Sequence, residues 1–517
     1  MIWIKMLSGV ILACMLGWSF HRSWRLEHGP GPRVLRWGQA GKEINAFPSL
    51  TPDFPLRPGM LPEHGTEQRV EATEPDVKKT QVFIPPTFLF WILLLFLLCY
   101  LLKFGVREGL FRFAALAADL TIFLSAYFAL LLLLLPLLRR WFSARACAVL
   151  WVVPAFMSWM AEDVFLLALP LPSLTLYLPR RAMAVIGAVW FAGFLAVGGY
   201  YLISHLRFRR WVLAHSEVEW DVGVREIWTQ ELKQMDFLRE AALLRADVPA
   251  PFSMGTSKRS RCTVLPRRDY TPEELIMIFR HELHHLQRDD VDTKVFLCLC
   301  NALCWFHPLV WIATRKAAQD LERSCDEIVT EDMSHDERLA YANLLLDAAV
   351  PAQGCTTCLS SAAGTLRYRL QSVMNQRRRL VGTLLLMAVM FGCVMCYGLV
   401  SVSDARGTFA SLILTKTEET VQDDESGVFV SGRRQWDYEA LYEELSDIEL
   451  EHVSGLYYPE QEGEQISFLL GEHTVATLTV QVLEVREYHK GKSRTDFYLV
   501  KSPVDWDALR ACEQSAN

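Results

Sequence analysis

Cysteine is missing where a secreted scaffold would need it. Of the 13 cysteines in this 517-residue chain, only Cys512 lies beyond residue 402, so the C-terminal stretch can form no internal disulfide. The others fall in apolar runs or between basic clusters, where thiols stay reduced, which excludes a disulfide framework. Cys355-Thr-Thr-Cys358 is a lone CxxC with no second pair nearby, a weak signal for metal or redox chemistry. A cleavable leader is not expected either. Residues 2–20 are apolar, with Lys5 near the start and His21, Arg22 and Arg25 after, but Gly17-Trp18-Ser19-Phe20 is a poor cleavage site. An uncleaved anchor is therefore expected. Nor does one sign of charge dominate throughout. The net charge of −7 divides into −13 for residues 403–517, with 23 acids and 10 bases, and +6 for residues 1–402, with 36 acids and 42 bases. An acidic end of this kind reads as a separate solvated domain and excludes direct nucleic-acid binding.

Apolar residues, in contrast, abound. Half of the chain (51%) is hydrophobic and mean hydropathy is positive, at +0.17. The length implies more than one domain. Apolar runs at 87–104, 113–138, about 146–168, 182–206 and 380–402 approach the roughly 20 residues that span a bilayer. Glu162 and Asp163 interrupt the third, which marks an interface or outer loop followed by an amphipathic or re-entrant piece over 164–178. Residues 21–82 repeat Pro and Gly without an apolar period and read as a loop. Arg207, Arg209 and Arg210 follow one span and Arg377, Arg378 and Arg379 precede another. The excess of bases in cytoplasmic loops then puts residues 207–379 inside and residues 403–517 outside. Arg139, Arg140 and Arg145 fit the inside; Lys103, Arg107 and Arg112 would fall outside, against that rule, and the first two spans stay unplaced.

The stretch Arg280-His281-Glu282-Leu283-His284-His285 carries the chemistry. Histidines at i and i+4 share a helix face and can grip one metal, and the glutamate between them can act as general base on water. Thr271-Pro272-Glu273-Glu274 is a helix start, and Leu275, Ile278, Phe279 and Leu286 recur at helical spacing. A catalytic zinc needs a third protein ligand and an open position. Glu322 is the candidate ligand; Asp326, four residues on, would accept a hydrogen bond from a ligand histidine. His284 lies about 100° away on the helix and cannot face the same metal. His307, between Phe306 and Pro308, reads as a packed histidine. Cys325 as a further ligand would close the site. The apolar stretch 295–312 must not cross the membrane, because Glu322 would then be separated from His281. Residues 217–245 read as helical, followed by an extended stretch near residues 251–266, and Ser334-x-x-Glu337 caps one more helix over about 335–350.

Four stretches in this order resemble the integral-membrane metallopeptidases typified by the BlaR and MecR beta-lactam sensor-transducers. They are Pro251-Phe252-Ser253-Met254-Gly255 with Val264-Leu265-Pro266, His281 to Asp290, Trp305-Phe306-His307-Pro308-Leu309-Val310-Trp311, and Leu321-Glu322-Arg323-Ser324-Cys325-Asp326-Glu327. The resemblance covers roughly residues 114–402. It implies zinc held by His281, His285 and Glu322, Glu282 as general base, Asp326 as supporting acid, and Asp290 as the acid that closes the extended motif. The Thr-Ser-Lys-Arg-Ser-Arg-Cys-Thr run between Gly255 and Val264 is more basic than the family's apolar stretch. The fold expected is mainly α: polytopic membrane helices with a gluzincin-like zinc metalloprotease domain. Alternation in the sequence, as at residues 472–485, adds a small α+β C-terminal domain with a helix near residues 437–450.

The expected division is a membrane anchor, loop and second span (1–112), membrane helices (113–206), a cytoplasmic metallopeptidase domain (207–379), a transmembrane helix (380–402) and an extracytoplasmic sensor (403–517). The expected function is a multi-pass cell-membrane zinc endopeptidase in signal transduction. Its partners would be the lipid bilayer, an unknown extracytoplasmic ligand, and a protein substrate such as a transcriptional repressor or the chain itself. No serine after residue 402 has a lysine three positions on, so the Ser-x-x-Lys nucleophile of the penicillin-binding sensors is missing. Two other readings stand beside this one: a non-proteolytic receptor scaffold, and a constitutive quality-control protease similar to HtpX.

Overall fold

A computed structural model describes residues 2–28, 88–155, 174–235, 237, 241–255, 261–348, 363–375, 379–414, 435–453, 464–470, 474–489 and 492–514. Most of the expected loop, Glu162, Asp163, and Cys355 with Cys358 lie outside the described residues. Helix α1 (Ile2–His28) covers the first apolar run and continues beyond it, so His21, Arg22 and Arg25 are helical and not in a loop. Helix α2 (Phe88–Trp141) holds the next two runs and breaks at Gly105, where φ is 79° and ψ 174°. Glycine tolerates that backbone because it has no Cβ. The break folds the chain back on itself: a Cβ on Gly109 would stand 2.7 Å from the Tyr100 carbonyl oxygen. Ile92, Phe96 and Tyr100 of the first arm then pack with Phe113 and Leu116 of the second. Helix α3 (Ala144–Leu150) follows, capped by Ser143. Strand β1 (Leu174–Tyr177) leads into helix α4 (Arg180–His215). Both α2 and α4 are long and apolar enough to cross a bilayer, and only 17% and 6% of their most apolar windows are buried. A core helix of a soluble protein would be mostly covered.

The central domain departs from the expected helix over 217–245. Strand β2 (Ser216–Val218), helix α5 (Val222–Gln234), and strands β3 (Ala242–Ala246), β4 (Phe252–Met254) and β5 (Cys262–Pro266) replace it and the extended stretch. They form a sheet of order β2-β3-β5-β4 in which only β3 and β5 run parallel. Pairing on both sides and burial of Leu244 and Ala246 hold 242–246 extended, although Ala, Leu and Arg favour helix. Then come helices α6 (Pro272–Gln287), α7 (Asp290–Leu303) and α8 (Pro308–Val329). Between α7 and α8 the chain turns, so the apolar stretch 295–312 forms a hairpin and returns Glu322 to α6. Asn301 holds the hairpin: its side-chain amide donates to Thr314 on α8 (3.1 Å) and to Tyr201 on α4 (3.0 Å). Helix α9 (His335–Asp347) begins with the expected Ser334–Glu337 capping box, and α10 (Ala363–Met374) follows.

Helix α11 (Thr383–Cys396) is shorter than the apolar run that contains it, because the chain enters through Gly382 at φ 96° and leaves extended at Tyr397. It packs along α1, where a Cβ on Gly17 would lie 2.5 Å from Met387 Cγ. Strand β6 (Val400–Ser403) pairs in parallel with β1. Beyond it lie β7 (Arg406–Thr408), β8 (Gln435–Trp436), a helix at Tyr438–Ser446, β9 (Glu449–Val453), β10 (Gln465–Leu469), β11 (Thr474–Thr479), β12 (Val482–His489), β13 (Lys492–Val500), a helix at Trp506–Ala511 and β14 (Glu513–Gln514). The helix expected over 437–450 thus ends at Ser446 and gives way to a strand. Six strands make one antiparallel sheet of order β10-β11-β12-β13-β9-β7. Leu441 and Leu445 of the first helix pack into the sheet's core with Phe468, Leu478 and Leu483.

The two folded regions meet opposite ends of the helices. At one end Arg112 on α2 pairs with Asp496 on β13, and Arg180 on α4 donates to Asp404 at 2.7 Å. His452 on β9 is buried between these acids: Nδ1 bonds Asp404, and Nε2 lies 3.8 Å from Asp496. Glu108 approaches Arg112 (3.8 Å) and Arg180 (3.5 Å). At the other end Arg139 donates to Asp320 at 2.9 Å, and Arg379 donates to Glu327 at 3.0 Å. Arg112, expected on the same side as residues 403–517 despite its charge, sits at the end that carries the C-terminal sheet.

Candidate metal centre

Helix α6 starts with a complete capping box. Thr271 Oγ1 accepts from the Glu274 amide (3.3 Å), and Glu274 Oε2 accepts from the Thr271 amide (2.9 Å). Leu275, Ile278, Phe279, Leu283 and Leu286 bury one side of the helix together with Trp228 and Leu265. That packing fixes the rotation of α6 and directs His281 and His285 towards α8. Their Nε2 atoms stand 3.2 Å apart. Glu322 reaches both, with Oε2 at 3.5 Å from His281 Nε2 and Oε1 at 3.6 Å from His285 Nε2. Ligand atoms around a tetrahedral zinc, with bonds near 2.0–2.1 Å, lie roughly 3.3 Å apart. The three residues expected from the sequence can therefore hold one ion and leave one corner open.

The outer nitrogens of both rings are engaged. Asp290 Oδ2 is 2.7 Å from His285 Nδ1. His281 Nδ1 is 2.9 Å from the Tyr341 hydroxyl, which donates to Asp326 Oδ1 at 2.8 Å. Since the hydroxyl gives its proton to Asp326, it accepts one from His281. Both imidazoles thus carry hydrogen at Nδ1 and turn an Nε2 lone pair towards Glu322. Two lone pairs and a carboxylate at this spacing need a positive charge between them, which a proton or a metal ion supplies. The expected direct bond from a ligand histidine to Asp326 is replaced by this relay, because the Asp326 oxygen stays 3.4 Å from His281 Nδ1.

Charge around the cluster is graded. Arg369 on α10 grips Asp326 with Nε (2.8 Å) and Nη2 (2.7 Å) and brings Nη1 to 3.3 Å from Glu322. Lys294 on α7 is 3.4 Å from the other Glu322 oxygen. Burial opposes charge on Glu322, but His285 and Lys294 hold its pKa well below the usual carboxylate range. Burial likewise opposes charge on His285, yet Cys325, Glu322 and the Asp290 bond raise it well above the ordinary imidazole value. Glu282 is buried beside the cluster, and among the described residues its Oε2 has no hydrogen-bond partner. A buried, unpartnered carboxylate oxygen on the residue that follows His281 fits a metal site that includes a base.

The other sequence candidates lie outside the His281–His285–Glu322 group, although Cys325 forms a second buried group with His285 and Asp290. Cys325 Sγ lies 3.5 Å from His285 Nδ1 and 3.9 Å from Asp290 Oδ2, so it faces the outer side of the ring. His284 and His307 are outside the cluster, and His307 occupies the N-cap position of α8 without a side-chain capping bond. Tyr341, Arg369 and Lys294 were not singled out by sequence. They come from three different helices, and no spacing rule links them to His281.

Residues 172–373 match the family model described as BlaR1 peptidase M56, and this segment holds every residue of the cluster. The regulatory protein BlaR1 of Bacillus licheniformis is 29% identical over 137 residues, which is 24% of this chain and 23% of that protein. The aligned part therefore spans about a quarter of the relative's length. With the ordered stretches of the sequence, these matches identify residues 172–373 as a BlaR1-type M56 peptidase domain.

Proposed function

We propose that the protein is a multi-pass membrane zinc endopeptidase in signal transduction. It cuts a cytoplasmic regulator, such as a repressor, or itself, when its C-terminal domain receives an extracytoplasmic signal. The observation that carries this reading is the convergence of two Nε2 atoms and Glu322 within 3.2–3.6 Å, beside the unpartnered Glu282 oxygen. A zinc ion bound there would polarise the scissile carbonyl and acidify water. Glu282 takes the proton of the attacking water and returns it to the leaving amine. Asp290 and Tyr341 keep both imidazoles in the tautomer that presents Nε2. Among the described residues strand β4 is an edge of its sheet, and it adjoins α6, with Ser253 Oγ donating to the Glu282 main-chain carbonyl at 3.4 Å. An edge beside the base suits an extended peptide, which supports a protein substrate.

Arg139 and Arg379 gather at the end of the central domain, which supports its cytoplasmic placement. A receptor scaffold needs ligands but no base, and a constitutive protease needs no second domain clamped to its helices. Both alternatives are therefore less well supported. The test compares new protein N-termini in the native host for wild type and Glu282→Gln across envelope stresses. Termini found only with wild type would name the substrate. Identical sets, with the variant still zinc-loaded in the membrane, would sink the protease reading.

A further inference from the structure

We propose that Glu27, near the end of α1, is a positioning residue for the His281–His285–Glu322 cluster, so that the N-terminal helix completes a centre whose ligands all come from the central domain. The inference rests on the metal-site reading above. Glu27 lies outside the 172–373 match and close to the first apolar run, yet its side chain is wholly buried. Its two oxygens take Arg288 Nε (2.9 Å) and Nη2 (2.8 Å), and Arg145 on α3 approaches at 3.6 Å. A carboxylate that receives two N–H groups of one guanidinium fixes its plane as well as balancing its charge.

That plane matters because of where Arg288 stands. It is the C-cap of α6, three positions after His285. Its Nη1 donates to Ser324 Oγ at 2.9 Å and lies 3.4 Å from Cys325 Sγ, just past Glu322 on α8. One guanidinium thus ties the end of the histidine helix to the glutamate helix, and Glu27 sets its orientation. Cys325 also touches the outer nitrogen of His285, so a rotated Arg288 would disturb both ligand-bearing helices. At the opposite end of α1, Lys5 Nζ donates to the carbonyls of Met395 (3.0 Å) and Tyr397 (2.8 Å), where the chain leaves α11 for the C-terminal domain. The helix that orients Arg288 is therefore anchored at the junction with that domain.

The measurement is the zinc affinity of the full-length protein in detergent, by competition with a chromophoric chelator. Glu27→Asp keeps the charge but withdraws it by one methylene; Glu27→Gln keeps the shape but removes the charge. Partners behind metal ligands typically carry roughly 10–100-fold in affinity. The Gln variant is expected in that range, and the Asp variant to lose several-fold while accumulating in the membrane as wild type does. If Glu27 only balances buried charge, Glu27→Asp binds zinc like wild type, and that result overturns the proposal. Should Glu27→Gln fail to fold, the Asp variant decides alone. Wild type without zinc affinity would overturn both this inference and the metal-site reading; zinc-binding wild type with unchanged variants overturns this inference only.

Discussion

Two buried groups of histidine, carboxylate and arginine lie at opposite ends of the helices, and they are built to opposite plans. Around His452 charges alternate: both ring nitrogens face acids, and each of those acids faces an arginine. The ring nitrogens and the acids are paired, although Arg112 Nε has no hydrogen-bond partner among the described residues. Around His281 and His285 the outer nitrogens are engaged by Asp290 and Tyr341, while the inner ones point at each other and at Glu322, with Arg369 Nη2 3.5 Å from that of His281. Glu282 keeps one oxygen free. Residue types alone would not tell these groups apart. Direction does: a closed network holds two parts together, whereas convergent lone pairs invite a cation.

The contrast can be broken by substitution. The largest effect is expected at the metal cluster. His281→Ala or Glu322→Ala should lower zinc affinity by more than about 100-fold, beyond the loss typical of supporting partners, and abolish cleavage while the sheet domain stays folded. Chelation followed by zinc readdition should switch activity off and on; zinc content by mass spectrometry checks both. At the other end Asp496→Asn leaves Arg112 buried beside a neutral partner. Removing one member of a buried pair costs about 3–5 kcal/mol, so thermal unfolding in detergent should come at distinctly lower temperature with zinc content unchanged. Lost zinc in Asp496→Asn would mean the two groups are not independent.

Smaller effects sharpen the comparison. Tyr341→Phe removes the hydroxyl between His281 and Asp326, and a net hydrogen bond of this kind contributes about 1 kcal/mol. Zinc affinity should fall roughly tenfold without loss of fold. The smallest effect is pH dependence at the junction. Burial opposes charge on His452, but bonds to Asp404 and Asp496 raise its pKa above the ordinary imidazole value. A raised folded pKa gives stabilisation that is complete below about 6.5 and is lost as pH rises through the folded value. Asp404 behaves oppositely: burial opposes its charge, but His452 and Arg180 hold its pKa below the carboxylate range, so its contribution is lost only in strong acid. Unfolding temperatures from pH 6 to 9 should therefore decline for wild type and be flatter for His452→Gln.

How far the sequence could be read follows from how local each signal is. His281, Glu282 and His285 share one capped helix, so spacing alone placed them on one face. Glu322 could be guessed from its spacing to Asp326 and from the resemblance of the stretch Leu321 to Glu327, and the hairpin of α7 and α8 followed from placing it beside His281. The strand Ala242–Ala246 could not, since its residues favour helix and only β2 and β5 on either side hold it extended. The fold-back within α2 hangs on one glycine, Gly105, in an otherwise apolar run. Tyr341 is 60 positions from His281, and Glu27 is 261 from Arg288. No periodicity crosses such distances.

The pairing of α1 with α11 also bears on biosynthesis. Lys5 and Tyr397 close a loop of 392 residues. Chains emerge from the ribosome N-terminus first, so α1 is complete long before α2, α4 and the whole central domain are made. Its last partner appears only with α11. A nascent chain can therefore carry His281, His285 and Glu322 while the α1 that contacts Arg288 still lacks its second anchor at Met395 and Tyr397.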